Sequence, residues 1–411
     1  MKRRVFLRSA GALAALAAAR LARASDPSSA APADTSCGNG AAFAPDAADS
    51  LAAGARTITL VAGGDTTLGY NLEAHFDQQL AAGVPKDNLW PLYFAGVRPM
   101  LAAADIAIVN LECPFTKRGV KLEKNFNFRA RPELVRILEQ GSVDVVTLAN
   151  NHVNDWGKDG VKDTLHTLDH AGIAHFGAGT SLEHARKPAI LARDGVKVGF
   201  LGYYFQAEPD MLEPEAVYAT ENRAGVAGCY KDLACVRAQV TEDVTALAPR
   251  VDHVIPFFHW GHEGSYELRD YQIELAHLCV DLGAWAVLGA HPHRVQGVEV
   301  YRGAPIFYSL GNFVYGGIKE PSDTLAVLAR LRLSRAGVGA EAIPIEFTHW
   351  PDRAFQPVML EGQPKWDALA RIAGYSRDLH CTLAQLEPIR AALPPPPPAP
   401  VPAPADSARA R

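Results

Sequence analysis

Gly289-Ala290-His291-Pro292-His293 sets two imidazoles one residue apart, directly after the apolar run Ala284 to Leu288. Neutral imidazole is the commonest metal ligand, and a buried apolar strand has no use for such a pair at its tip. Four further apolar runs end the same way. Ile58 to Ala62 leads into Gly63-Gly64-Asp65, and Ile106 to Val109 into Asn110-Leu111-Glu112. Val143 to Leu148 leads into Ala149-Asn150-Asn151-His152, and Val254 to Phe258 into His259-Trp260-Gly261-His262-Glu263. Strands that deliver Asp, Glu, Asn and His to one edge predict a metal site. Its mixed nitrogen and oxygen donors suit one or two divalent ions, Mn, Fe or Zn.

Each motif also has a plainer reading. Gly-Asp after a strand is a common turn, and Glu112 alone reads as a surface-loop glutamate. The Asn150-Asn151-His152 run is stronger, because two amides and an imidazole continue a strand poorly. Asn151 can ligate a hard cation through its carbonyl oxygen, and His152 can stand beside the metal as an acid or electrostatic donor. Asp155 either orients that histidine or caps the following helix. Asn150 is a candidate substrate or accessory contact. Of the next cluster, His259 lies nearest its strand and is the better ligand, and Trp260 walls the cleft. Glu263 binds metal, positions a histidine or contacts substrate. His291 and His293 complete the set, with both rings facing one way on an extended segment stiffened by Pro292.

Other groupings fit less well. His166 and His170 sit four apart among Lys162, Asp163 and Asp169, a solvated helix face. Cys113 is too soft a donor for an oxygen and nitrogen site. There is no Gly-x-Ser-x-Gly and no P-loop. A glycosidase pair drawn from Asp65, Glu112 and Glu263 leaves the histidines unexplained.

The elements that must hold these residues alternate. Strands are expected at Thr57 to Ala62, Asp105 to Val109, Asp144 to Leu148, Ala174 to Phe176, Ala189 to Ala192, Val196 to Leu201, His253 to Phe258 and Trp285 to Leu288. Helices are expected at Arg131 to Gln140, Lys158 to His170, Lys231 to Leu247 and Tyr271 to Leu282, with a helical or mixed stretch from Trp90 to Ala104. Four closing segments, Gln296 to Tyr301, Pro305 to Ser309, Thr324 to Leu333 and Ala342 to Thr348, read as strands. Such βαβ units demand sheets with helices on their faces, and ligands then bind beyond the carboxyl ends of the strands. The expected fold is α/β, a layered α/β/β/α sandwich.

The ends read differently. Residues 1–24 carry Arg3-Arg4, Phe6-Leu7, a short apolar run and the small-x-small site Ala22-Arg23-Ala24, a twin-arginine-type signal peptide. The run Ala10 to Ala19 falls short of the about 20 residues a membrane span needs. Residues 25–55 form a flexible linker, 56–350 the main domain, 351–393 a helical extension and 394–411 a disordered Pro/Ala tail. The mature chain is expected to be exported, periplasmic or extracellular, without an integral membrane segment. A net charge of −5 with scattered Lys and Arg excludes a nucleic-acid stripe. Six cysteines without a Cys-x-x-Cys pair exclude a zinc ribbon. Cys229 and Cys235 are close enough to bridge in an oxidising compartment, and Cys279 falls in a helical pattern as a core residue.

From Thr57 to Thr348 the motifs, together with Gly177-Ala178-Gly179 and the run Tyr308 to Phe313, resemble CapA-type proteins. This is the capsule and poly-γ-glutamate synthesis group of the calcineurin-like metallophosphoesterase superfamily. The resemblance implies two metals above a four-layer sandwich. Asp65 and His293 would hold the first, Glu112 stands where the superfamily has a bridging aspartate, and Asn151, His259 and His291 would hold the second. His152 would be the acid. One position departs: the usual Asp-x-His is here Asp65-Thr66-Thr67, so the first metal lacks that imidazole and is looser, recruits Glu263 or is absent. The implied activity is phosphoester hydrolysis with two ions about 3.5–4 Å apart, or cleavage of an amide in an anionic polymer. Partners would be such a polymer or a phosphoester, and capsule-assembly proteins. The alternative is a non-catalytic accessory protein that holds an anionic polymer during capsule assembly or export, which the missing histidine favours.

Overall fold

A computed structural model describes residues 57–207 and 213–393. The expected signal peptide, linker and Pro/Ala tail lie outside the described residues.

The strands, in chain order, are Thr57–Thr67 (β1), Ile106–Leu111 (β2), Val145–Thr147 (β3), Ala174–Phe176 (β4), Ala178–Gly179 (β5), Ala189–Arg193 (β6), Val196–Phe205 (β7) and Gly225–Val226 (β8). They continue with His253–Trp260 (β9), Val287–Ala290 (β10), Val298–Tyr301 (β11), Ala304–Phe307 (β12), Asn312–Tyr315 (β13), Leu325–Ser334 (β14), Gly337–Glu346 (β15) and Val358–Met359 (β16). One eight-stranded sheet runs β16-β15-β14-β1-β2-β3-β4, with β13 also paired to β1, and a six-stranded sheet runs β11-β12-β10-β9-β7-β6. The protein is a mixed α/β fold.

Residues alternate faces along a strand, and that alternation sorts the core. Leu60 and Ala62 of β1, Ile108 of β2, Phe200 of β7, Phe257 of β9 and Leu288 of β10 share one buried cluster drawn from both sheets. Their neighbours Val61 and Val109 instead join Leu72, Phe76, Ile137, Val161, Leu165 and Leu168. Those residues come from helices 71–81, 135–140 and 157–171. On the second sheet, Tyr203, Phe258 and Trp260 pack with Val236, Val240 and Val244 of helix 233–247 and Leu275 and Cys279 of helix 270–281.

Local chemistry fixes the helix ends. Val161, Leu165 and Leu168 form the apolar stripe of helix 157–171, which stops at Gly172 in the left-handed region (φ 69°). The Asp232 side chain accepts from Cys235 N at 2.9 Å and starts helix 233–247. The elements not anticipated include helix Asn71–Ala81, strand β13, the short strands β5, β8 and β16, and the short helices Lys86–Leu89 and Leu182–Ala185. The helix expected over Arg131 to Gln140 begins as a 3-10 turn, Pro132–Leu134. Two further helices, Gly362–Tyr375 and Glu387–Ala392, follow β16. Cys229 is bonded to Cys235. No helix among the described residues is long and apolar enough to cross a membrane.

Candidate metal centre

Gly63 and Gly64 interrupt β1 at a register shift between Ala62 and Asp65, where its partner changes from β14 to β13. A Cβ on Gly64 would overlap the Gly311 carbonyl oxygen, and one on Gly63 would press into the Phe313 ring. The two glycines thus let β13 approach, and Asp65 N donates to Gly311 O at 3.0 Å. The Asp65 carboxylate accepts from Asn110 Nδ2 at 2.7 Å and from His291 N at 3.2 Å.

The side chains named from sequence converge. His259 Nε2 lies 2.9 Å from Asn151 Oδ1, 2.9 Å from His291 Nδ1 and 3.4 Å from Glu112 Oε1. His293 Nδ1 lies 3.1 Å from Asp65 Oδ2, and its Nε2 lies 3.9 Å from Glu112 Oε1. Two donor groups result, Glu112-His259-His291 and Asp65-Glu112-His293, each with ligand atoms within 4.8 Å of one another. Glu112 belongs to both.

The His-Pro-His segment is not extended. His291 has φ 101° and His293 φ 54°, a region costly for residues other than glycine. The turn separates the two rings, sending His291 to His259 and His293 to Asp65. His293 Nδ1 also meets Asn312 Oδ1 at 2.9 Å, and its Nε2 lies 3.3 Å from the Tyr315 hydroxyl.

Beside the donors, His152 Nδ1 donates to Asp155 Oδ2 at 2.7 Å, and its ring packs on Phe128 with centroids 4.2 Å apart. Asp155 also accepts from Phe128 N at 2.5 Å, so it orients the histidine rather than capping a helix. Asn150 is buried in the framework. Its amide donates to Leu111 O and Asn110 Oδ1 and accepts from the His152 and Val153 N–H groups. Glu263 is exposed, and its charge reaches Glu112 and His293 only at a distance. Trp260 does not wall the cleft. One strand position beyond His259 it faces the opposite side, where its Nε1 donates to Tyr308 O at 2.8 Å. Cys113 is buried outside the donor groups and accepts from Leu68 N. His166 and His170 are exposed on their helix.

The electrostatics suit cations. Neither oxygen of Glu112, a fully buried residue, has a hydrogen-bond partner, and His291 Nε2 has none either. Burial, and then the Asp65 carboxylate, push the Glu112 carboxyl well above the usual carboxylate range. Burial, and then neighbouring imidazoles, hold His259 and His291 well below the usual histidine range, so both are neutral and ready to ligate. Burial alone would lower His293, but Glu112 and Asp65 outweigh it and push it up to about 10. A buried carboxylate without a donor is costly unless a cation meets it, and oxygen and imidazole donors fit the divalent ions expected.

Residues 59–316 match the family described as bacterial capsule synthesis protein PGA_cap. The chain belongs to this family. It is 32% identical to the capsule biosynthesis protein CapA of Bacillus anthracis over 58% of this chain and 57% of that one. It is 30% identical to the PGA biosynthesis protein CapA of Bacillus subtilis over 69% of this chain and 70% of that one. A probable polyglutamine synthesis accessory protein of Mycobacterium tuberculosis is 33% identical over 57% and 62% respectively. The match thus spans between a little over half and about two thirds of these curated relatives.

Several residues of this PGA_cap member were not singled out from sequence. Asn110 Nδ2 bridges Asp65 Oδ1 and His259 Nδ1. Asn312 and Tyr315 hold His293. Lys124 and Glu213 stand behind Asn151 and Asp155. Asn110 and Asn312 follow apolar strands and share the signal that marked Glu112. Lys124 and Glu213 sit in irregular segments and carry no such signal.

Proposed function

We propose that this protein is a metal-dependent hydrolase with a phosphoesterase-type site, acting in the synthesis of a bacterial capsule or a related envelope polymer. The observation that carries this reading is Glu112, a buried carboxylate without a hydrogen-bond donor, shared by two groups of metal-competent side chains. Asp65, Glu112 and His293 would hold one divalent ion, and Glu112, Asn151, His259 and His291 the other. Such ions supply Lewis-acid activation of water and neutralise an anionic substrate oxygen.

The chain's own residues have distinct tasks. Asn110 fixes Asp65 and His259 together. Asp155 accepts a hydrogen bond from His152 Nδ1, so Nε2 is the ring nitrogen left to hold or deliver a proton to a leaving oxygen. Phe128 covers that ring and limits water beside it. An anionic polymer or a phosphoester suits the cationic centre. The three core clusters support a four-layer α/β/β/α arrangement of the calcineurin-like type. Export by a twin-arginine-type signal is part of the same proposal.

A second reading is favoured by Thr67, which stands where the superfamily pattern has an imidazole: the cleft holds an anionic polymer without cleaving it. Metal analysis followed by bis-p-nitrophenyl phosphate turnover separates the two. The hydrolase reading expects turnover that His152→Ala loses while keeping its metal. Bound metal and tight polymer binding, with no turnover in any divalent ion, favour the accessory role.

A further inference from the structure

Lys124 lies in an irregular stretch between β2 and helix 135–140, yet its side chain is only 2% exposed. Its ammonium donates to Asn151 O at 2.6 Å and to Glu213 Oε2 at 3.1 Å, and it forms an ion pair with Asp155 Oδ1 at 2.7 Å. Glu213, from the segment that precedes β8, uses its other oxygen to accept from Asn151 Nδ2 at 3.1 Å. With its NH2 held there, the amide of Asn151 turns Oδ1 to within 2.9 Å of His259 Nε2. The same ammonium holds Asp155 Oδ1, and Asp155 Oδ2 holds His152 Nδ1. One buried cation therefore stands behind both the amide donor and the proton-bearing histidine.

We propose that Lys124 and Glu213 form a buried clamp of positioning residues that aims the Asn151 amide oxygen into the Glu112-His259-His291 donor group and fixes Asp155 behind His152. This rests on the metal reading above. Asn and Gln side chains are symmetric in shape, so only hydrogen-bond partners decide which end faces the metal. Without Glu213 the amide is free to flip and offer NH2 to the cation, which repels it. Outer partners of metal ligands act in this way generally. Glu213→Met is the informative variant because Lys124 keeps Asp155 as a partner and no charge is orphaned. Glu213→Gln retains an oxygen that accepts from Asn151 Nδ2.

The test uses the full chain, stripped of metal, with two measurements. In the first, Co²⁺ is titrated and followed by visible absorption. Glu213→Met is expected to bind the tightest Co²⁺ about 10–100-fold more weakly, with the spectrum of Asn151→Ala, while Glu213→Gln keeps the parent spectrum and affinity. In the second, hydrogen exchange of the metal-free chain is followed by mass spectrometry. Lys124→Met and Glu213→Met are expected to accelerate exchange across residues 150–157 and leave β9 unchanged. A parent-like Co²⁺ spectrum in Glu213→Met overturns the clamp. If the parent itself takes no Co²⁺, the metal reading fails, and the exchange measurement alone judges the clamp: parent-like exchange in both variants overturns it.

Discussion

The Thr67 hydroxyl donates to the backbone carbonyl of Glu112 at 3.0 Å. The strand position two beyond Asp65 thus fastens the residue that both donor groups share. Thr67→Val should cost about 1 kcal/mol of stability, the usual worth of such a bond, and weaken divalent-ion binding. Urea unfolding and Mn²⁺ titration measure the two effects.

Proton linkage at the centre sets the stability of the metal-free chain. The Glu112 carboxyl is raised, and His293 is raised from 6.5 to about 10. Both groups bind protons more tightly folded than unfolded. Their contribution is therefore greatest at low pH and is lost as pH rises, from about 4.5 for Glu112 and from 6.5 to about 10 for His293. Each such proton tilts stability by at most about 1.4 kcal/mol per pH unit. Glu112→Gln removes one group and the largest influence raising the other. Its unfolding free energy should vary less between pH 5 and about 10, as measured by urea melts across pH.

Metal binding should release protons. His259 and His291 are held neutral, whereas His293 is protonated below about 10 and must lose that proton to ligate. Calorimetry at neutral pH in two buffers of different ionisation enthalpy should report at least one proton released per Asp65-Glu112-His293 group filled, with affinity rising as pH rises. His293→Ala should lower the number of protons released, leaving the contribution of the raised Glu112 carboxyl.

The bulge of β1 is sensitive to a single carbon. A Cβ on Gly64 would strike the Gly311 carbonyl, so Gly64→Ala must push β13 from β1 and displace Asn312 and Asp65. The expected cost is about 3 kcal/mol or more, with loss of metal binding. Thermal unfolding and metal analysis of the purified variant check it.

The side chains of the candidate centre were largely legible because apolar strands announce themselves by composition, and a polar residue at a strand's end stands out against them. His259, His291, His293, Asp65 and Glu112 were found that way. The turn at His291 and His293 was not, since positive φ at histidine has no sequence signature. Helix Asn71–Ala81 escaped because its apolar stripe is as narrow as Leu72, Phe76 and the partly buried Leu80. Strand β13 escaped because it begins in a glycine-containing turn and pairs with β1 only beyond the bulge. Lys124 and Glu213 matter through burial and mutual contact, which no local pattern encodes. Trp260 was misread although strand alternation puts it opposite His259.

Anomalous diffraction from crystals of the full chain grown with Mn²⁺ tests the central claim most directly, because it locates each ion and identifies it. The expected result is an anomalous peak bonded to Glu112, Asn151, His259 and His291, with a second bonded to Asp65, Glu112 and His293. Ordered Asp65, Glu112, His259, His291 and His293 side chains without a peak between them would contradict it.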